Sequence, residues 1–481
     1  MVDPAVDPVG ASDPIQAPRR LSALRGELAN PLFRNAYALM ANGGLTGLLG
    51  LAYWTLGAVA YSDADVGRNW AEIQAIMFVG GVTMLNFLLI RFIPQSASKT
   101  GLLVAGAYAL GAGAAALLGL GFLLTLDWWG PSFQHLHGFW PGLWFIAMAV
   151  AWNLFNQQEG VFTGLRRAGW VPVVNTVFGA TKLVLLLVLA MSFPHDGVVL
   201  SWFIPVMVAL VPVNAFIFGR LVPAHARLNS GRGDRPTYRD IWRYLGGGYL
   251  GGLFQYAAIS LIPVIVAAHI DSTSNAYFQM AWALGMMLDL LALTLSLSLT
   301  VEGSFDATVL AGSTRAALRR TYTLLIPVIV LVVLCAPFAL GVLGHGYAAK
   351  GAPLLQILAV ATLPKALIEL YCGVLRVQSR TRLIALLQGL RFLGVLALVF
   401  AFIDPSRLIT IGFMVLGVNT AVAAFIYPAL RRAAAAPAPG DAADGSVDSG
   451  GDGSVDGGGD AGPGDEIEPR PSATGPERDI T

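Results

Sequence analysis

GLLVAGAYALGAGAAALLGLGFLLTL, Gly101 to Leu126, runs for 26 residues between Lys99 and Asp127 with no charged side chain. An α-helix rises about 1.5 Å per residue, so about 20 apolar residues cross the roughly 30 Å hydrocarbon core of a bilayer. A stretch this long and this apolar reads as a membrane-spanning helix. Working outward, eleven more runs of similar character follow the same rule: Ala36 to Ala60, Ala71 to Ile93, Gly138 to Asn156, Trp170 to Met191, Val198 to Phe218, Tyr244 to Ala268, Tyr277 to Val301, Tyr322 to Leu343, Pro353 to Leu375, Leu383 to Phe402 and Leu408 to Leu430. Composition agrees, with 56% hydrophobic and only 12% charged residues, the latter about half the share of a soluble protein. The expected fold is an all-α membrane protein of twelve transmembrane helices.

Short loops keep Lys and Arg on the cytoplasmic side of a membrane. With the N-terminus inside, twenty-two basic residues of the lead-in, loops and last helix end face the cytoplasm, and only Arg68, Lys350 and Arg407 face the other side. One missed helix would invert every later loop, so the alternation supports the span count too. Both termini are expected in the cytoplasm of a bacterial cell, with the chain in the cytoplasmic membrane.

The long basic loop around Arg220 to Arg243 falls at the midpoint of the set. It suggests two pseudo-symmetric six-helix lobes around a central cavity, with boundaries at 1–35 (N-terminal segment), 36–220 (N-lobe), 221–243 (basic linker), 244–432 (C-lobe) and 433–481 (tail). The first and seventh spans both carry glycine clusters, Gly43, Gly44, Gly47 and Gly50 against Gly246, Gly247, Gly248, Gly251 and Gly252. Such matched interruptions read either as gate helices or simply as close packing. The lead-in Met1 to Asn30 lacks an apolar core and reads as cytoplasmic. The tail, with eleven acids against Arg470 and Arg478, has a net charge of −9, leaving +10 on the rest. Its Gly, Asp and Ser content can bury no core, so disorder is expected there.

No phosphate-loop motif for nucleotide hydrolysis is present, and neither the cysteines, Cys335 and Cys372, nor the close pair His135 and His137 has a metal-ligand pattern. No enzymatic chemistry, cofactor or metal is expected. The informative residues are ionisable groups inside apolar runs, each costing about 2.5 kcal/mol or more at the bilayer centre unless it faces a cavity or a partner. Lys182 lies deep in the fifth span, Asp289 in the eighth, Lys365 and Glu369 in the tenth and Arg391 in the eleventh, with Arg34 and Arg91 nearer helix ends. Lys182, Arg391, Arg34 and Arg91 are the candidates for binding an anion, Arg by a planar fork and Lys as a point charge. Asp289, Lys365 and Glu369 are candidates for ion coupling. Each has a plainer reading. Lys365 and Glu369 at i,i+4 would neutralise each other along one helix face, Asp289 would pair with Lys182 or Arg391, and Arg34 and Arg91 would anchor helix ends. Amides including Asn42, Asn153, Asn156, Gln157, Gln158, Asn175, Asn214, Gln255, Gln279 and Asn419 would line a wet interior.

YALMANGGLTGLLGLAYWTLGA (Tyr37 to Ala58), TGLRRAGWVPVVNTVFGATKL (Thr163 to Leu183), NAYFQMAWALGMM (Asn275 to Met287), LSLTVEGSFD (Leu297 to Asp306) and GVLRVQSRTRLIALLQ (Gly373 to Gln388) resemble polysaccharide biosynthesis proteins. These form the O-antigen-type flippase branch of the multidrug, oligosaccharidyl-lipid and polysaccharide exporter superfamily. The resemblance covers roughly Pro31 to Arg432. It implies a two-lobed bundle with a central cavity, working by alternating access to turn a polyprenyl-diphosphate-linked glycan across the membrane. It also implies cationic residues in that cavity, for which Lys182 and Arg391 are the available positions. The expected partners are a lipid-linked anionic glycan, membrane lipids and polysaccharide-synthesis enzymes, with no nucleic acid. A multidrug antiporter of the same superfamily, or a non-transporting scaffold for polysaccharide synthesis, are the competing readings.

Overall fold

The computed structural model describes residues 31–228, 249–305, 310–378 and 380–435; of residues 31–41, 97, 294–305, 310–313 and 433–435 it describes the backbone alone. The lead-in, part of the basic linker and most of the tail therefore lie outside the described residues. Among those described, secondary structure is helical throughout. In chain order the long helices are α1 (Pro31–Ala60), α2 (Asp63–Gly81), α3 (Thr100–Leu124), α4 (Phe139–Gly164), α5 (Trp170–Ser192) and α6 (Gly197–Phe216). The second half continues with α7 (Tyr249–His269), α8 (Ser272–Phe305), α9 (Leu310–Gly341), α10 (Ala352–Val377), α11 (Thr381–Phe402) and α12 (Ile409–Ala435).

Eleven of these twelve are long and apolar enough to cross a membrane, and the chain is a multi-pass membrane protein. The exception is α4, whose 26 residues suffice in length but whose second half carries Asn153, Asn156, Gln157, Gln158 and Glu159. A spanning helix keeps that many polar groups only where they face protein or a water-filled cavity, and α4 does both.

Helix limits follow local chemistry. Ser62 caps α2, accepting from the Asp65 amide at 3.2 Å, and Asp63 and Asp65 sit in the first turn where the helix dipole favours acids. That cap moves the start of the second span to Asp63, eight residues before the hydropathy limit at Ala71. Met84 takes a left-handed conformation (φ 45°) that breaks the helix, and Leu85–Phe92 carries the chain on. Polar or charged surface residues hid two further extensions: α4 runs on to Gly164, and α9 begins at Leu310 rather than Tyr322.

The two halves pack by the same scheme. Within the first, α1 lies on α5, α2 on α4, α3 on α4, α4 on α6 and α5 on α6; in the second, α7 lies on α11, α8 on α10, α9 on α10, α10 on α12 and α11 on α12. Each helix thus has a counterpart six helices on, which makes two pseudo-symmetric lobes. The lobes meet along α2, which packs on α8 and α7. At its start the Gly67 carbonyl accepts from Asn275 Nδ2 at 2.7 Å, and Tyr277 donates to Asp63 at 2.7 Å. Farther along, Tyr249 donates to the Val82 carbonyl at 3.0 Å and Tyr256 to that of Met77.

Candidate functional site

Each lobe holds a cavity in which a few polar and charged side chains stand in a largely apolar wall. That of the first, about 280 Å³, lies among α1, α4, α5 and α6, with Met77 of α2 at its edge. Lys182, twelve residues past the start of α5, projects into it. Its ammonium sits 3.6 Å from the Trp202 ring centroid, 4.7 Å from that of Tyr53 and 5.1 Å from that of Phe178. The ring cluster is itself fixed, because Tyr53 donates to the Val198 carbonyl at 2.7 Å and hydrogen-bonds Ser201 at 2.8 Å.

Lys182 is 5% exposed and has no ion-pair or hydrogen-bond partner among the described residues. Cation–π contacts with desolvated rings contribute about 2 kcal/mol, less than the several kcal/mol that burying an ammonium costs. The ammonium is therefore left without an anion in contact among the described residues. Beside it, both side-chain amide atoms of Gln158 are buried with no hydrogen-bond partner among the described residues. Asn156 and Asn175 complete the polar wall, Asn175 tied to Asn42 at 3.0 Å. Glu159 borders the same cavity, an exposed residue between the buried Gln158 and Gly160 of α4. Sequence reasoning missed Glu159 and the aromatic cage. Polar periodicity in α4 was the signal for the first, whereas nothing in the chain order brings Tyr53, Phe178 and Trp202 together.

The cavity of the second lobe is smaller, about 50 Å³, and is lined midway along α7, α8, α10, α11 and α12. Here the charges are paired. Lys365 of α10 bonds Asp289 of α8, which also accepts from the Thr362 hydroxyl at 3.2 Å. Arg391 of α11 donates through Nη1 to Glu369 Oε1 of α10 at 3.0 Å and to Gln388 Oε1 at 2.8 Å, and through Nε to Asn419 Oδ1 of α12 at 3.1 Å. Gln388 Nε2 returns a bond to Glu369 Oε1 at 3.1 Å.

These pairs correct two expectations. Lys365 and Glu369 do not neutralise each other along α10, and Asp289 pairs with neither Lys182 nor Arg391. An i,i+4 pair contributes only a few tenths of a kcal/mol, while the close packing of α8 and α11 on α10 offers each α10 charge a partner across a helix interface. Losing one member of a buried pair strands the other at about 3–5 kcal/mol, so the pairs tie α8, α10, α11 and α12 together.

Lys182 and Arg391 both border cavities, but different ones. They occupy counterpart positions, twelve residues past the start of α5 and ten past the start of α11. Arg91 is exposed on Leu85–Phe92 and lines neither cavity; Arg34 stands in the first turn of α1, its side chain outside the described residues. Of the amides, Asn156, Gln158 and Asn175 line the first cavity and Gln255 and Asn419 the second. Others serve packing: Asn153 donates to the Gly80 carbonyl at 2.6 Å, and Gln279 contacts Gln74 across the lobes at 3.5 Å. His135 bonds the buried Glu72 of α2 at 2.8 Å, and His137 pairs with Asp127 at 3.2 Å.

Solved structures share this architecture. An inward-facing multidrug resistance MATE family transporter of the MOP superfamily superposes with a TM-score of 0.63 at 14% identity, over 84% of this chain and 96% of that one. The chain has the MATE transporter fold. An outward-facing MATE transporter of the MOP superfamily gives a TM-score of 0.56 at 14% identity over 84% and 96%, and a MATE in complex with MaL6 gives 0.55 at 16% identity over 86% and 98%. No family model matches the chain, and no curated protein does. In the MATE fold twelve helices form two lobes, and the two cavities described above lie one in each.

Proposed function

We propose that this protein is a transporter of the cytoplasmic membrane that carries a polyprenyl-diphosphate-linked glycan from the inner to the outer leaflet by alternating access between its lobes. The observation that carries this reading is Lys182, a buried cation bordering a cavity and lacking an anion among the described residues. A diphosphate supplies that anion. Exposed sugar hydroxyls suit the unsatisfied Gln158 amide and the Asn156 and Asn175 side chains, and aromatic rings such as Trp202 offer the flat apolar surface on which sugar rings stack. The MATE fold supports alternating access, and the Lys/Arg asymmetry of the loops supports an outward-facing end where α1 meets α2.

A multidrug antiporter is the second reading, favoured by Glu159, a carboxylate without an ion-pair partner among the described residues in an aromatic-walled cavity. It suits a cationic, apolar cargo, and the structures of similar fold include multidrug resistance transporters. Depleting the protein in its host and measuring lipid-linked glycans by mass spectrometry separates the two. A blocked flip accumulates one undelivered carrier lipid and identifies the cargo. An unchanged lipid profile together with new drug sensitivity would replace the first reading by the second.

A further inference from the structure

Lys182 shares the first cavity with a charge of the opposite sign. Glu159 lines the same space, and neither residue makes an ion pair among the described residues, with the other or with a third group. They stand at different depths. Counted from the turn at 165–169 that joins α4 to α5, Glu159 lies five residues up α4 and Lys182 twelve up α5. Those seven residues amount to roughly 10 Å of helix rise. Asn156 and Phe178 line the cavity between the two levels, each eight residues from the turn. We propose that the first cavity is a two-ended site for a zwitterionic glycan headgroup: Lys182 takes the phosphate, Glu159 takes the ammonium of an amino sugar, and the sugar ring lies between them. This rests on the reading of the protein as a carrier of a phosphate-linked glycan, and it names the kind of sugar.

The argument is one of charge, spacing and unmatched polar atoms. The Lys182 ammonium sits in its ring cage, 3.6 Å from the Trp202 centroid, and stays apart from the carboxylate. A carboxylate on a spanning helix keeps its charge only by facing water or a partner, and Glu159 faces the cavity. Each charge therefore sets a condition on the cargo. A phosphate without an amine satisfies Lys182 but brings negative charge towards Glu159, and an amine without a phosphate meets the reverse. A cargo that carries both meets no like charge uncompensated, so the cavity selects by repulsion as well as by attraction. One sugar ring with a hydrogen bond of about 2.9 Å at each end fills a gap of roughly 10 Å. The space between the ends suits such a ring. Phe178 and Trp202 present aromatic surface to its apolar face. Gln158, beside Glu159 and 1% exposed, has a donor and an acceptor both unmatched among the described residues, and the Trp202 indole nitrogen is unmatched as well. Sugar hydroxyls both donate and accept, as those groups require.

The test is titration calorimetry of the full chain in nanodiscs of one fixed lipid composition, with glucosamine 1-phosphate as the probe. Glucose 1-phosphate, glucosamine and phosphoethanolamine are the controls; they lack the amine, the phosphate and the ring respectively. The parent is expected to bind glucosamine 1-phosphate at least tenfold tighter than any control. Glu159→Gln should weaken glucosamine 1-phosphate at least tenfold and leave glucose 1-phosphate no weaker. Lys182→Met should weaken both sugar phosphates at least tenfold and spare glucosamine. A merely structural role for the two charges predicts that all ligands weaken alike, and that outcome overturns the proposal. So does a parent that binds glucose 1-phosphate as tightly as the probe, or that binds nothing. Equal affinity for phosphoethanolamine overturns it too, by assigning the site to a lipid headgroup. The parent comparison needs no substitution and decides the matter should a variant fail to fold. The glycan reading fails separately: preference for glucosamine 1-phosphate in a protein whose depletion leaves lipid-linked glycans unchanged keeps the two-ended site and removes that cargo. Accumulation of a carrier lipid whose glycan has no free amine does the reverse.

Discussion

Lys182 is the residue at which stability and function pull apart. Its ammonium is buried among Trp202, Tyr53 and Phe178 without a carboxylate among the described residues, a placement that costs folding free energy. Methionine has nearly the same length and packs well against rings. Lys182→Met is therefore expected to stabilise the protein by about 1–3 kcal/mol, read as a higher unfolding temperature in detergent, while lowering transport at least tenfold. Equal or lower stability in the variant would show that the cage repays the ammonium's burial. Individual charges of this kind were legible in the sequence, because an ionisable residue a dozen positions into an apolar run has few innocent explanations. Their partners were not. Spacing along α10 pointed Lys365 at Glu369, and only the packing of α8 and α11 on that helix shows each reaching a different neighbour.

At the scale of elements, the seam between α2 and α8 has no room. A Cβ at Gly67 would lie 1.7 Å from the Ser272 carbonyl oxygen and 2.8 Å from the Ala276 nitrogen, both backbone atoms that no rotamer change can move aside. Glycine is required there because two helix backbones touch, and the Asn275 amide closes the same contact on the Gly67 carbonyl. Gly67→Ala should therefore push α2 from α8 and bias the lobes apart at this end. Overpacking of this kind costs about 1–3 kcal/mol, and each 1.4 kcal/mol is a tenfold change in population. Spin labels at the exposed positions Asp196 and Pro405, one in each lobe, should report a longer mean distance in the variant than in the parent. An unchanged distribution would mean that α2 and α8 do not form a gate. Helix number was legible from hydropathy, but this seam was not: Gly67 fell outside the predicted second span, and the glycine clusters that drew attention in the first span make no close contact, with Gly43, Gly44, Gly47 and Gly50 having nothing within 4 Å of an added Cβ.

Across the whole molecule, one packing scheme used twice carries unlike chemistry. The contact that joins α4 to α2 through Asn153 and the Gly80 carbonyl recurs, at corresponding depth, between α10 and α8 as Lys365 and Asp289. A neutral bond in one lobe stands where the other has an ion pair, so the first cavity presents Lys182 and Glu159 without an ion pair among the described residues and the second a paired set. For that asymmetry to serve directional transport, the orientation of the fold in the membrane must be defined, and loop charge supplies the prediction. Ser406, between α11 and α12, and His195, between α5 and α6, are exposed at the end where α1 meets α2; Arg167, between α4 and α5, is exposed at the opposite end. The native thiols form a quiet background, since Cys372 is buried and Cys335 lies within the apolar α9. In intact cells a membrane-impermeant maleimide should therefore label Ser406→Cys and His195→Cys but not Arg167→Cys, which should react only after the membrane is opened. The reverse pattern would invert the topology, place the Gly67 seam on the cytoplasmic face, and turn the proposed carrier from an exporter of inner-leaflet cargo into an importer.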